Sequence, residues 1–178
     1  VFSMLRSALG LNQTPPNMVI TSLALFMTLF VMQPVMNSAW DTGLKPLLND
    51  SITEEQAIME IIKPFKEFMF VNTREQDLRL FYDVGGKSKE NMNLDNVGLR
   101  ELVPAFVISE LRRAFVIGFL IYLPFIAIDL IIASVLMSAG MMMLPPIMVS
   151  LPFKVIFFVL VDGWYMVAGS LIESFSGI

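Results

Sequence analysis

Residues 114–137, AFVIGFLIYLPFIAIDLIIASVLM, carry a single formal charge, at Asp129. In an apolar surrounding such a run can only be helical, because a helix satisfies its own backbone N–H and C=O groups. It is long enough to cross a hydrocarbon core of about 30 Å, with a kink expected at Pro124. Residues 18–36, MVITSLALFMTLFVMQPVM, have no formal charge and nearly reach that length at about 1.5 Å per residue. Pro15, Pro16 and Asn17 ahead of them fit a helix start, while Gln33 and Pro34 suggest a bend or an exit from lipid. Residues 155–172 form a third candidate span. With 56% hydrophobic and 16% charged residues and a mean hydropathy of +0.70, the chain belongs to the membrane class.

Charge is segregated. Ten of the twelve Lys and Arg residues and thirteen of the sixteen Asp and Glu residues lie within 37–113, so a polar region separates two apolar ends. Residues 37–50 read as a loop. Thr53 and Gln56 form a capping-box pattern, and Ile58, Ile61, Ile62 and Phe65 follow at helical spacing with a kink expected at Pro64. A second short helix is expected near residues 73–82, supported by Glu75 and Arg79 four apart. Residues 84–98, VGGKSKENMNLDNVG, read as a flexible loop. The expected fold is all-α: an integral membrane-complex protein of long kinked helical hairpins with a small helical polar insertion. The expected division is 1–36, 37–101 and 102–178. Valine at position 1 implies that any signal peptide or earlier span lies upstream, and no C-terminal domain is expected beyond the third span. The polar middle is too long for Lys and Arg counts to decide sidedness, so hydropathy gives spans but not sides.

The chain has neither cysteine nor histidine. That excludes disulfides, thiolate nucleophiles, His-based metal sites and His general bases. No cofactor and no metal are expected. A net charge of −4 without a basic patch argues against nucleic acid as a partner.

The ionisable groups in and beside the apolar ends are the first candidate site. Asp129 and Asp162 lie within apolar runs, Lys154 opens the last one, and Glu110, Arg112 and Arg113 precede residues 114–137. Such charges should face protein or water and find partners. Counted from a hairpin turn, Asp129 and Asp162 come out at similar depth, where two facing carboxylates repel. Turning them toward different neighbours lets Lys154, Arg112 or Arg113, of an adjacent subunit or of the same hairpin, pair with an acid. Three readings remain open: structural clamps, a proton relay, or the paired acids of an intramembrane aspartyl protease, whose glycine-aspartate context is missing.

The second candidate site is the turn MSAGMMMLPPIMVSLPFK, where Met141, Met142 and Met143 run into Pro145 and Pro146. Methionine is a common gap filler. Here, though, the two prolines brace a turn that cannot continue a helix, and no charge occurs from Ser138 to Pro152. A ring of such turns would make an apolar constriction able to exclude ions and reshape around a passing chain.

The stretches MLRSALGLNQTPPNMVITSLALFMTLFVMQPV, FVNTREQDLRLF and LVPAFVISELRRAFVIGFLIYLPFIAIDLIIASVLMSAGMMMLPPIMVSLPFKVIFFVLVDGWYMVAGSLIESF resemble blocks of the flagellar FliP family and its type III secretion relatives. GMMMLPP, LPFK and LVDGW together are the specific combination. The resemblance implies a non-enzymatic export-gate subunit, with Gly140, Pro145 and Pro146 defining the turn and Met141, Met142 and Met143 as a gasket. It implies four apolar segments in the whole protein, a periplasmic polar middle, and an inner-membrane location at the flagellar basal body. Implied partners are further copies of the chain in a helical ring-like oligomer, FliR, FliQ, FlhB, the lipid bilayer, and unfolded flagellar substrates in the pore. It also implies that some apparent spans are hairpins buried against neighbours above the bilayer plane. The rival reading is a proton-coupled membrane transporter or channel using Asp129 and Asp162.

Overall fold

The computed structural model describes residues 1–85 and 92–175, and every regular element among them is helical. In chain order these are α1 (Phe2–Ala8), α2 (Asn17–Ala39), a π-helical turn (Trp40–Leu44), α3 (Lys45–Leu48), α4 (Glu54–Asn72), α5 (Glu75–Val84), α6 (Leu99–Ser138), α7 (Pro146–Leu160) and α8 (Gly163–Glu173). Two stretches, Asn17–Leu48 and Leu99–Ser138, are long and apolar enough to cross a membrane. A third is possible if α7 and α8, bent by 60° at their junction, count as one broken span.

Contacts divide the chain into two units. Among the described residues, one comprises 1–28 and 114–175; the other comprises those of 29–113. At 40 residues α6 is about 60 Å long, roughly twice a hydrocarbon core, and it contributes residues to both units. It runs unbroken through Pro104 and Pro124.

In the unit of residues 29–113, the expected loop at 37–50 is helical as far as Leu48. Tertiary packing overrides its composition. Gly43 lies so close to α4 that a Cβ there would stand 2.4 Å from Ile61 Cγ1 and 3.1 Å from the Ala57 carbonyl oxygen. Pro46 falls in the first turn of α3, where its missing N–H costs nothing. Helix α2 likewise continues through Pro34 rather than stopping at it. The capping box at α4 is present, with Thr53 Oγ1 accepting from Gln56 N–H at 3.4 Å and Gln56 Oε1 accepting from Thr53 N–H at 3.2 Å. Helix α5 covers the expected short helix and pairs Arg79 with Glu75. Leu78, Tyr82, Val97, Leu102 and Ala105 form its core. Of the expected loop at 84–98, residues 86–91 lie outside the described residues. Val97 is buried, so the end of that stretch packs rather than floats.

In the other unit, Leu5, Ala8 and Leu9 pack against Phe125 of α6 and Phe158 of α7. Phe125 meets Phe158 while Asp129 meets Lys154, so the second half of α6 and α7 run antiparallel as a hairpin.

Candidate functional site

The hairpin tip follows from its sequence. Gly140 adopts φ +72, the left-handed region that only glycine enters without strain. There its N–H donates to the Met137 carbonyl at 3.1 Å, and Met141 N–H donates to the Leu136 carbonyl at 2.9 Å. These two bonds are the Schellman pattern that closes a helix on a C′ glycine. Pro145 is extended and Pro146 opens α7, where proline's fixed φ suits a first helical position. Between the two helices, Met141, Met142 and Met143 are 50%, 83% and 97% exposed. Methionine side chains thus stand off a turn whose two ends are fixed by glycine and proline.

Some two helical turns below the tip sits a polar clasp. Lys154 of α7, only 3% exposed, places Nζ 2.6 Å from Asp129 Oδ2 of α6. Its Nζ also donates to the Ala8 carbonyl at 3.2 Å, one of the carbonyls left over at the C-terminal end of α1. Ser150 Oγ donates to the other oxygen of Asp129. Ser150 and Lys154 are four apart on α7 and therefore share a face. One buried cation, one carboxylate, one hydroxyl and one helix end satisfy one another. Asp129 itself is 32% exposed, so the two partners differ in how much water they retain.

Asp129 and Asp162, expected at similar depth but turned toward different neighbours, do not come level. Helix α7 begins at Pro146, not near residue 155, which brings Lys154 rather than Asp162 level with Asp129. Asp162 lies past the end of α7, on the order of 12 Å further along. It adopts φ +50 and its side chain makes no cap hydrogen bond. Asp162 and Gly163 instead break the helix. A Cβ at Gly163 would meet the Phe158 ring at 2.1 Å. That contact lets Trp164 pack edge-on against Phe158 at 5.5 Å and tilt against Phe2 at 6.3 Å. The apolar run at 155–172 is therefore two helices joined at a 60° bend rather than one straight helix.

The remaining candidates lie in the other unit. Arg113 approaches Glu110 at 3.0 Å and donates to Asn72 Oδ1 at 3.4 Å, while Arg112 is exposed. Beside them is a bridge that sequence reasoning missed. Ser109 Oγ accepts from the Arg74 backbone N–H at 3.0 Å and donates to Asp77 at 2.7 Å, tying the start of α5 to α6. Ser150 was missed as well, although its spacing from Lys154 was a usable signal.

Chemically, the clasp is a neutralised ion pair whose donors and acceptors are turned on one another. Among the described residues no group of three or more acidic side chains is placed to hold a metal ion.

Comparison with known proteins decides the identity. The FliP family model matches residues 1–171. The chain belongs to the FliP family. Flagellar biosynthetic protein FliP of Agrobacterium fabrum is 53% identical over 176 residues, covering 98% of this chain and 72% of that protein. The protein of the same name from Rhizobium meliloti is 54% identical over 98% of this chain and 71% of its own length. That of Bacillus subtilis is 48% identical over 98% and 79%. Membership in the FliP family makes the chain a non-enzymatic component of the flagellar export apparatus. Together with its spanning-length helices, it locates the chain at the flagellar inner membrane.

Proposed function

We propose that the chain is a pore-forming subunit of the flagellar export gate, and that Met141, Met142 and Met143 of neighbouring copies form the seal. The observation that carries this reading is the tip: the three thioethers are exposed on a braced turn with no charge from Ser138 to Pro152. Thioether chains have three rotatable bonds and polarisable sulfur, so they close around irregular surfaces. Rings of apolar side chains exclude ions by dewetting. An unfolded flagellar substrate displaces the seal, and the methionines then close around the substrate.

The proposed assembly is a helical ring of several copies with FliR and FliQ, adjoined by FlhB. The broad apolar exposure of α2, α6 and α7 supports it, since such surfaces need protein or lipid to cover them. In this assembly the polar middle, residues 37–101, is periplasmic and residues 102–178 supply the gating hairpin. Glu110, Arg112, Arg113, Asp129, Lys154 and Asp162 act structurally, within the hairpin or between subunits. Gly140, Pro145 and Pro146 set the shape of the tip.

The transporter reading draws less support. Asp129 is held by an ammonium and a hydroxyl, and Asp162 stands at a helix break. The test is ion conductance of the assembled gate in vesicles. Replacing Met141, Met142 and Met143 together by alanine widens the ring and raises conductance; unchanged conductance rejects a sealing role.

A further inference from the structure

The same tip carries a modification chemistry. We propose that Met142 and Met143 are sites of sulfoxidation by small peroxides, and that the modification unseals the gate; this rests on the sealing reading above. The chain has no cysteine, so its thioethers are its sulfur nucleophiles. In the reaction a sulfur lone pair attacks one peroxide oxygen and the O–O bond breaks. The thioether is oxidised by two electrons to a sulfoxide, and the peroxide is reduced to water or an alcohol, which takes up the proton.

Three observations select the tip. Met143 and Met142 are 97% and 83% exposed in the single chain, on a turn rather than on a helix face. Met141, half-buried beside the Gly140 turn, should react after them. The third observation bears on the oxidised product. From Ala139 to Val149 no side chain can donate a hydrogen bond. A new sulfoxide oxygen there finds no side-chain donor and turns to water or to the turn's own backbone N–H groups. Oxidation therefore brings water into a ring whose function is to exclude it, and turns a flexible apolar chain into a polar one.

Met59 supplies an internal reference. It is 67% exposed on α4, in the other unit, and has no part in the tip. The assembled complex in vesicles is treated with hydrogen peroxide, then analysed by peptide mass spectrometry and conductance. Oxygen should appear at Met143 and Met142 ahead of Met141. Conductance should rise on the order of tenfold, the scale of one unmatched polar group. Methionine sulfoxide reductase should reverse the rise. The peroxide-dependent rise should vanish in M141L/M142L/M143L, whatever the starting conductance of that variant, and persist in Met59→Leu. An unmodified tip in protein whose Met59 is fully oxidised overturns the proposal. So does an oxidised tip without a rise; if the triple alanine variant still leaks, the sealing reading survives that result. If the alanine variant does not leak, the sealing reading falls and the inference falls with it.

Discussion

The tip of the α6–α7 hairpin and the clasp two turns below it are built on opposite rules. At the clasp, Asp129, Ser150, Lys154 and the Ala8 carbonyl turn their hydrogen-bonding groups on one another around a buried ammonium. At the tip, three methionines are left without fixed neighbours on a turn held rigid at its ends. The difference shows how a hairpin can be stiff along its length and soft at its point. Polar complementarity fixes the register of the two helices, and the soft residues beyond it are free to meet whatever lies ahead.

The clasp is where this contrast can be broken with the largest effect. Asp129→Asn leaves the Lys154 ammonium buried without a counter-ion, which costs about 3–5 kcal/mol. Lys154→Met is milder, about 1–3 kcal/mol, because the remaining carboxylate is partly hydrated and still receives the Ser150 hydroxyl. The double variant Asp129→Leu with Lys154→Met should recover most of the loss, since two apolar groups of similar size replace a buried pair. Thermal midpoints of the detergent-solubilised complex should fall in that order. Equal losses for the two single variants would show that the burial asymmetry does not matter.

Gly163→Val tests the other end of α7 with a smaller effect. The added side chain collides with the Phe158 ring, so Phe158 and Trp164 must move, at about 1–3 kcal/mol of overpacking. The expected outcome is a lower thermal midpoint together with a change in Trp164 fluorescence. Asp162→Asn should leave both close to unchanged, because asparagine tolerates the left-handed conformation as aspartate does. A large loss with Asp162→Asn would instead restore that carboxylate as a functional group.

How far this arrangement can be read from the sequence depends on whether the signal is local. Gly140, Pro146 and the Thr53–Gln56 cap act within one helix turn, and the structure has each where its local chemistry requires. The apolar stretch at 114–137 was legible for the same reason. Asp129 with Lys154 is one of the pairings that the charges allow, but its closure within a single hairpin depends on where α7 begins. Hydropathy alone starts the last apolar segment near residue 155, after Lys154. The helix starts nine residues earlier, at Pro146, which moves Lys154 from the edge of a span to the level of Asp129. The Asp162-Gly163 pair is a turn signal that a strongly apolar average conceals. The helical character of residues 37–48 depends on packing against α4, which no local rule contains.

The smallest effect on stability should come from the tip, and it is the most informative. Within the chain, Met142 and Met143 lose almost no buried contact when shortened, so alanine at both should change the thermal midpoint of the solubilised single subunit by no more than about 0.5 kcal/mol equivalent, the range of ordinary surface substitutions. The same pair should raise conductance. Clasp variants should show the reverse pattern: lower stability and less assembled gate, with normal conductance in whatever gate does assemble. Were the tip pair to destabilise the single subunit as much as Asp129→Asn does, the methionines would be packing residues. The division of labour between a rigid waist and a soft point would then be wrong, and the α6–α7 hairpin would have to be treated as one continuous core.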